Sequence, residues 1–224
     1  MQVTHLFRLR WRYLALKGRA VLLLAAGKRA AALSIFEQML RLLPGDRYAL
    51  ASQAHVQMQL NRLNDAIASL QVLTGTAGLG AQDAASWFNL GYALQQAGSA
   101  DEAVFAFRSA LMHDPRLDRA WYGLALVLIQ QRQFHGAVKA LEKNTALQPM
   151  SPHGWYRLAQ AWLALGEVDK AVKVIDRLRS FEPKVAAQLE RENGLVQASR
   201  LTPQRRREFA PGKTGSSRKR DAAH

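Results

Sequence analysis

Cysteine is absent from this chain. That excludes disulfides, thiol nucleophiles and Cys-based metal sites, and it leaves the redox compartment open. Long apolar runs are missing as well. The longest one near the N-terminus, Ala20 to Ala26, spans seven residues, far short of the roughly 20 that a membrane-crossing helix needs. Gly27-Lys28-Arg29 follow it without a small-x-small cleavage pattern, so it reads poorly as an export signal. Catalytic constellations are also lacking. The six histidines (His5, His55, His113, His135, His153 and His224) are scattered, and none forms an i, i+4 pair with an acidic ligand. "APGKTG" at Ala210 to Gly215 resembles a piece of a phosphate loop. It lacks the first glycine at the required spacing and a flanking strand. The expectation is a non-enzyme with no cofactor, no metal and no small-molecule substrate.

Acid is the scarcest class. The 224 residues hold 31 Lys and Arg against 17 Asp and Glu, for a formal charge of +14. Such a balance favours acidic partners: nucleic acid, anionic lipid or an acidic protein segment. The excess sits at the ends. Residues 1–30 contain seven cations and no acid, and residues 201–224 contain seven cations against Glu208 and Asp221. The middle of the chain is close to neutral.

What is present is a repeat. Trp87, Trp121 and Trp155 stand 34 residues apart, and so do Leu90, Leu124 and Leu158, Ala103, Ala137 and Ala171, and Pro115, Pro149 and Pro183. Allowing a three-residue insertion extends the register upstream to Leu50, Ala54, Ala66 and Leu70, then to Leu16, Ala20, Ala32, Phe36 and Pro44. One column is alanine in every copy: Ala32, Ala66, Ala103, Ala137 and Ala171. Another is small in every copy: Ala20, Ala54, Gly91, Ala125 and Ala159.

Each copy reads as two helices. Trp87, Leu90, Gly91 and Leu94 make an i, i+3, i+4, i+7 stripe. Gly98 ends it, Ser99 with Glu102 forms a capping box for the next helix, and Pro115 stops that one. Gly91 and Ala103 fall where the paired helices must approach closely. Asp46, Asp83, Asp118 and Ser151 are expected caps, with Pro152 at a first helical position.

These columns resemble the tetratricopeptide repeat (TPR) family. The third copy matches through Trp87, Leu90, Gly91, Leu94, Ala103, Phe107, Ala110 and Pro115. The fourth carries Asn144, and the fifth Leu178, where the pattern has a second alanine. Arg19 and Gln53 replace the leucine in the first two copies. The resemblance implies an all-α fold, a right-handed α-solenoid of helix-turn-helix units with a concave groove. Its units are expected at 13–46, 47–83, 84–117, 118–151 and 152–185, after a basic aromatic extension over 1–12. A capping helix is expected over 186–200, with Ala186, Leu189 and Val196 inward, and a disordered basic tail over 201–224. The Gly-rich stretch Thr74 to Gly80 breaks the register, as a tolerated insertion or as a joint.

The family resemblance implies that first helices line the groove. The columns left free by packing then give Tyr48, His55, Phe88, Tyr92, Arg119, Tyr122, His153, Tyr156 and Arg157 as the peptide-binding set. Tyrosine offers contact area with a polar tip, and arginine pairs with carboxylates. The competing assignment packs these rings between neighbouring units. The Lys and Asn columns of chaperone-binding members are not matched: Lys17 and Val21, Phe88 and Tyr92, and Tyr122 and Leu126 occupy them, so no carboxylate clamp is expected.

The favoured function is a protein-interaction scaffold, adaptor or chaperone with a peptide or partner helix in its groove. Two alternatives rest on the basic ends. Arg205, Arg206, Arg207, Arg218, Lys219 and Arg220 in the tail suit nucleic acid or anionic lipid, or else only solubilise the chain. Arg8, Arg10 and Arg12 alternate with Phe7, Leu9, Trp11 and Tyr13. That segment extends the first helix and buries Leu6, Leu9, Tyr13 and Leu16, lies on a membrane surface, or forms an extended arm. Composition hints at a bacterial source and a cytoplasmic location, with membrane association left open.

Overall fold

The computed structural model describes the backbone of residues 2–75 and 81–195. The tail and residues 76–80 of the Gly-rich stretch lie outside the described residues. The order is α1 (Gln2–Ala25), α2 (Arg29–Leu42), α3 (Arg47–Gln59), α4 (Leu63–Gly75), α5 (Ala81–Gln96), α6 (Ala100–His113), α7 (Asp118–Gln130), α8 (Phe134–Leu147), α9 (Pro152–Ala164), α10 (Val168–Arg179) and α11 (Pro183–Glu192). No strand occurs among the described residues. The chain forms two compact units, Met1–Val127 and Leu128–His224.

Turn chemistry sets the helix pairs. The residue closing each first helix is left-handed: Gly27 at φ +70°, Asn61 at +58°, Gly98 at +83°, Arg132 at +59° and Gly166 at +76°. At each of these turns the next N–H reaches back five residues: Lys28 to Leu23 O, Arg62 to Gln57 O, Ser99 to Leu94 O, Gln133 to Leu128 O and Glu167 to Trp162 O, at 2.8–3.0 Å. These are Schellman closures, which satisfy otherwise free carbonyls and end each first helix in a sharp turn. Only Gly98 was legible as such a stop.

In the first unit, α1 packs on α2, α2 on α3, α3 on α4, α4 on α5 and α5 on α6. The columns of small residues fulfil their steric role. Ala20, Ala54, Ala32, Ala66 and Ala103 have no exposed surface. Ala20, Ala32, Leu33, Ile35, Phe36, Met39, Ala49 and Val56 form one apolar cluster, joined by Tyr13, Leu16, Leu23 and Leu24 of α1. Residues 2–12 continue α1, so the segment is not an extended arm.

In the second unit, α9 packs on α8 and α10, and α11 packs on α10 and α9. Val168, Val172, Ile175 and Leu178 meet Ala186 and Leu189 in its core. Amphipathic α10 and α11 thereby close the apolar face, as an end cap must. The closing helix runs Pro183–Glu192, starting three residues before the expected 186, while Val196 and the rest of 196–200 lie outside the described residues. Pro183 suits its first turn, where no N–H partner is needed. Gly194 at φ +65° ends it, with Leu195 N bonded to Glu190 O.

The Trp and Pro columns prove to be one device. Trp121 Nε1 donates to Pro115 O at 2.9 Å, and Trp155 Nε1 donates to Pro149 O at 3.0 Å. Each indole therefore ties the loop before a first helix to that helix.

Capping departs from expectation at several positions. Asp46 does cap α3, accepting from Ala49 N at 2.7 Å. Ser99 and Ser151 occupy N-cap positions without a side-chain cap bond, so the capping box does not form. Asp83 lies inside α5 and is buried against Arg47 of α3, because α5 starts three residues earlier than expected.

Candidate functional site

The first unit holds Tyr48, His55, Phe88, Tyr92, Arg119 and Tyr122. Tyr48 opens α3 and is partly exposed, its ring edge-on to Phe36 at 6.3 Å. Lys17 of α1 places Nζ 4.0 Å from the Tyr48 ring centroid. Phe88 of α5 tilts against buried Phe107 at 5.9 Å. Arg119 of α7 lies over the Phe88 ring as well, with Cζ 5.0 Å from the centroid.

The two junctions are related by the repeat. Lys17 and Phe88 share one column, and Tyr48 and Arg119 share another. Cation and ring exchange places, while the contact between consecutive first helices is kept. A cation over a ring face gains about 0.5–1 kcal/mol at an exposed site. A stacked guanidinium still presents its N–H edges for a carboxylate. Residue spacing alone placed these residues near one another but did not reveal the pairing.

Tyr92, one turn beyond Phe88, is 46% exposed. Tyr122 is half-buried on α7. His55 on α3 is exposed, with Nε2 2.9 Å from Gln59 Nε2, and Gln59 Oε1 accepts from Arg29 Nε at 2.7 Å. His55 thus belongs to a short polar chain between α2 and α3. The unit also has a cavity of about 560 Å³ between α4, α5 and α6, lined by Thr74, Trp87, Leu90, Leu94, Glu102 and Phe105. It adjoins Gly75, beside the insertion, and was not anticipated from sequence.

The second unit holds His153, Tyr156 and Arg157, all on α9. His153 is exposed. The Tyr156 hydroxyl donates to Glu192 at the end of α11, and Gln188 Nε2 donates to the other Glu192 oxygen at 2.7 Å. The Glu192 bond, then burial, raises the Tyr156 pKa, and the same bond lowers that of Glu192. Arg157 Nη1 donates to Gln160 Oε1 at 2.9 Å and lies 5.9 Å from the Tyr156 ring. The Tyr156 hydroxyl is therefore engaged by the closing helix.

Arg8, Arg10 and Arg12 are exposed on α1. Arg205, Arg206, Arg207, Arg218, Lys219 and Arg220 lie outside the described residues. Among the described residues no cluster of three His, Asp or Glu is placed to hold a metal. No described helix is long and apolar enough to cross a membrane.

Comparison with known proteins agrees with this architecture. A tetratricopeptide repeat family model matches residues 17–80 and 51–120. A model for subunit 3 of the anaphase-promoting complex, or cyclosome, matches residues 96–178. No curated protein matches the chain. Among solved structures, a MamA protein superposes with a TM-score of 0.71 at 22% identity, covering 78% of this chain and 94% of that one. A tetratricopeptide repeat protein from Parabacteroides merdae ATCC 43184 gives 0.69 at 18% identity, covering 84% and 77%. YrrB, described as a TPR protein with an unusual peptide-binding site, gives 0.66 at 15% identity, covering 77% and 88%. At these identities the likeness is one of fold. With its repeated small-residue columns, left-handed turns and indole-to-proline bonds, the chain belongs to the tetratricopeptide repeat family.

Proposed function

We propose that this protein is a non-catalytic interaction scaffold that holds an acidic, partly apolar peptide segment against the first helices of its N-terminal unit. The observation that carries the reading is Arg119 stacked on Phe88 with Tyr92 exposed one turn away. An aromatic platform beside a guanidinium edge suits an apolar side chain next to a carboxylate. The first helices of that unit also carry Lys17, Arg47 and Arg119 but few acids, and one of those, Asp83, is engaged by Arg47. The YrrB description is in keeping with peptide binding on this fold. Tyr156, whose hydroxyl is held by Glu192, contributes less.

Selection from a random peptide display library against the full chain tests this. The expected ligands combine acidic and apolar residues. Tyr92→Ala with Tyr122→Ala loses them, and Arg119→Ala loses the acidic preference. Retention of every ligand by the folded double variant, or ligands without acid, overturns the reading.

A further inference from the structure

Helix α1 has two apolar faces, and among the described residues only one packs against the rest of the chain. At 100° per residue, Leu9, Tyr13, Leu16 and Ala20 share the inner face. Tyr13, Leu16, Leu23 and Leu24 pack into the apolar cluster that includes Ala20 and the residues of α2 and α3. The opposite face carries Phe7, Trp11, Leu14, Val21 and Leu22, which are 47–71% exposed. Phe7 and Trp11 meet edge to face at 5.9 Å, so they form one surface and not two isolated rings. Gly18 lies in the middle of the stripe, with open space where a Cβ would stand.

Cations border this stripe on both sides. The same projection puts Arg8, Arg12 and Arg19 along one edge and Arg10 along the other. All four are exposed, and none makes a hydrogen bond or ion pair with another described residue. Lys17, on the Arg10 side, is turned inward over Tyr48. Residues 1–30 contain no acid that would neutralise them.

An apolar stripe with Trp, Phe and Leu, edged by arginines, matches the chemistry of an anionic bilayer surface. The rings enter the acyl boundary and the guanidiniums meet the phosphates. From Phe7 to Leu22 the stripe runs about 22 Å, enough to lie in the plane. Self-pairing through the same face is disfavoured, because a two-fold contact would set arginine edge against arginine edge with no acid between them. We infer that the outer face of α1 is a docking surface for anionic lipid. The helix serves as core wall on one side and as membrane contact on the other, so burial of Tyr13 and Leu16 and lipid binding are compatible.

Vesicle flotation of the full chain tests this, with phosphatidylcholine alone compared to phosphatidylcholine containing phosphatidylglycerol. Binding is expected only to the anionic vesicles, and raised salt should abolish it. Each basic residue at such a surface is worth roughly fivefold in affinity, so Arg8→Ala with Arg10→Ala and Arg12→Ala should weaken binding on the order of 100-fold. Trp11→Ala with Leu14→Ala should also release the chain while its circular dichroism is unchanged, since both side chains are exposed. A variant with Arg205, Arg206, Arg207, Arg218, Lys219 and Arg220 changed to Ser should still bind. Equal binding to neutral vesicles overturns the inference. So does loss in the tail variant alone, undiminished binding by the Trp11 and Leu14 variant, or a chain that ignores vesicles and dimerises through this stripe.

Discussion

The ring of Phe107 lies so close to Gly91 that a Cβ on the glycine would stand 2.8 Å from Cδ1. The other end of the ring meets Gly123 in the same way, at 2.6 Å from Cζ. Phe107 has no exposed surface, so it has no room to withdraw. Alanine at position 91 gains about 1 kcal/mol of helix propensity. Overpacking typically costs about 1–3 kcal/mol, and against an immobile ring that cost should win. Gly91→Ala is therefore expected to destabilise the protein in urea titration, and Phe107→Leu to recover part of the loss. A double-mutant cycle measures the coupling. Additive effects would show that the ring moves.

Arg132 is the residue least suited to its backbone. It takes φ +59° at the turn where three sister repeats have glycine and one has asparagine. A left-handed conformation costs an ordinary residue roughly 1–2 kcal/mol. Glycine returns part of that through greater freedom of its unfolded chain. Arg132→Gly is thus expected to stabilise by about 0.5–1 kcal/mol, and Gly98→Arg to destabilise by a similar amount. Chemical denaturation of the two variants decides it. A destabilised Arg132→Gly would mean that the arginine makes contacts outweighing its backbone.

Much of the architecture was legible because packing constrains residue size. Alanine at Ala32, Ala66 and Ala103 is dictated by helices that touch there, and the columns are visible without coordinates. The left-handed turns were less legible, because Asn61 and Arg132 adopt by context what Gly98 adopts by nature. Helix starts were misjudged where the chemistry was redundant. Ser99 occupies its cap position without bonding, and Asp83 is taken by a distant arginine. The candidate face was legible only as residue columns. That Lys17 lies over Tyr48, and Arg119 over Phe88, depends on the spacing between repeats, which single positions do not encode. The second apolar face of α1 was in the sequence, but alternation of rings and arginines masked its helical period.

Tyr13 should give the first repeat a pH signature. Its hydroxyl donates to Asp46 Oδ1 at 2.9 Å, and the same oxygen caps α3 through Ala49 N. Burial, then the bond to Asp46, pushes the phenol up to about 12. The unfolded phenol ionises near 10. The protonated form is the one favoured by folding, so its contribution is complete below about pH 10 and is lost as pH rises toward about 12. The stability difference between wild type and Tyr13→Phe should stay flat up to about pH 9 and then move against wild type. Denaturation midpoints of both proteins across the alkaline range test this. A difference that stays constant through pH 12 would place Tyr13 in water.

Asn144 and Gly154 form a matched exception to the repeat. Asn144 is buried on α8 in a column that holds Ala110 and Leu178 elsewhere. Gly154 of α9 stands opposite it, in a column that holds Ser86 and Ala120. A Cβ on Gly154 would collide with Asn144 Oδ1 and sit 3.1 Å from Thr145 Cγ2. The glycine accommodates the larger polar side chain. Gly154→Ala restores the family pattern at one position and should nevertheless destabilise by about 1–3 kcal/mol. Asn144→Ala alone should also cost stability, since it removes a buried side chain that has partners. Together they bring both columns close to the repeat, so the double variant should be more stable than Gly154→Ala alone. Thermal denaturation of the three variants measures it. A double variant no better than Gly154→Ala would show that Thr145, and not Asn144, requires the glycine.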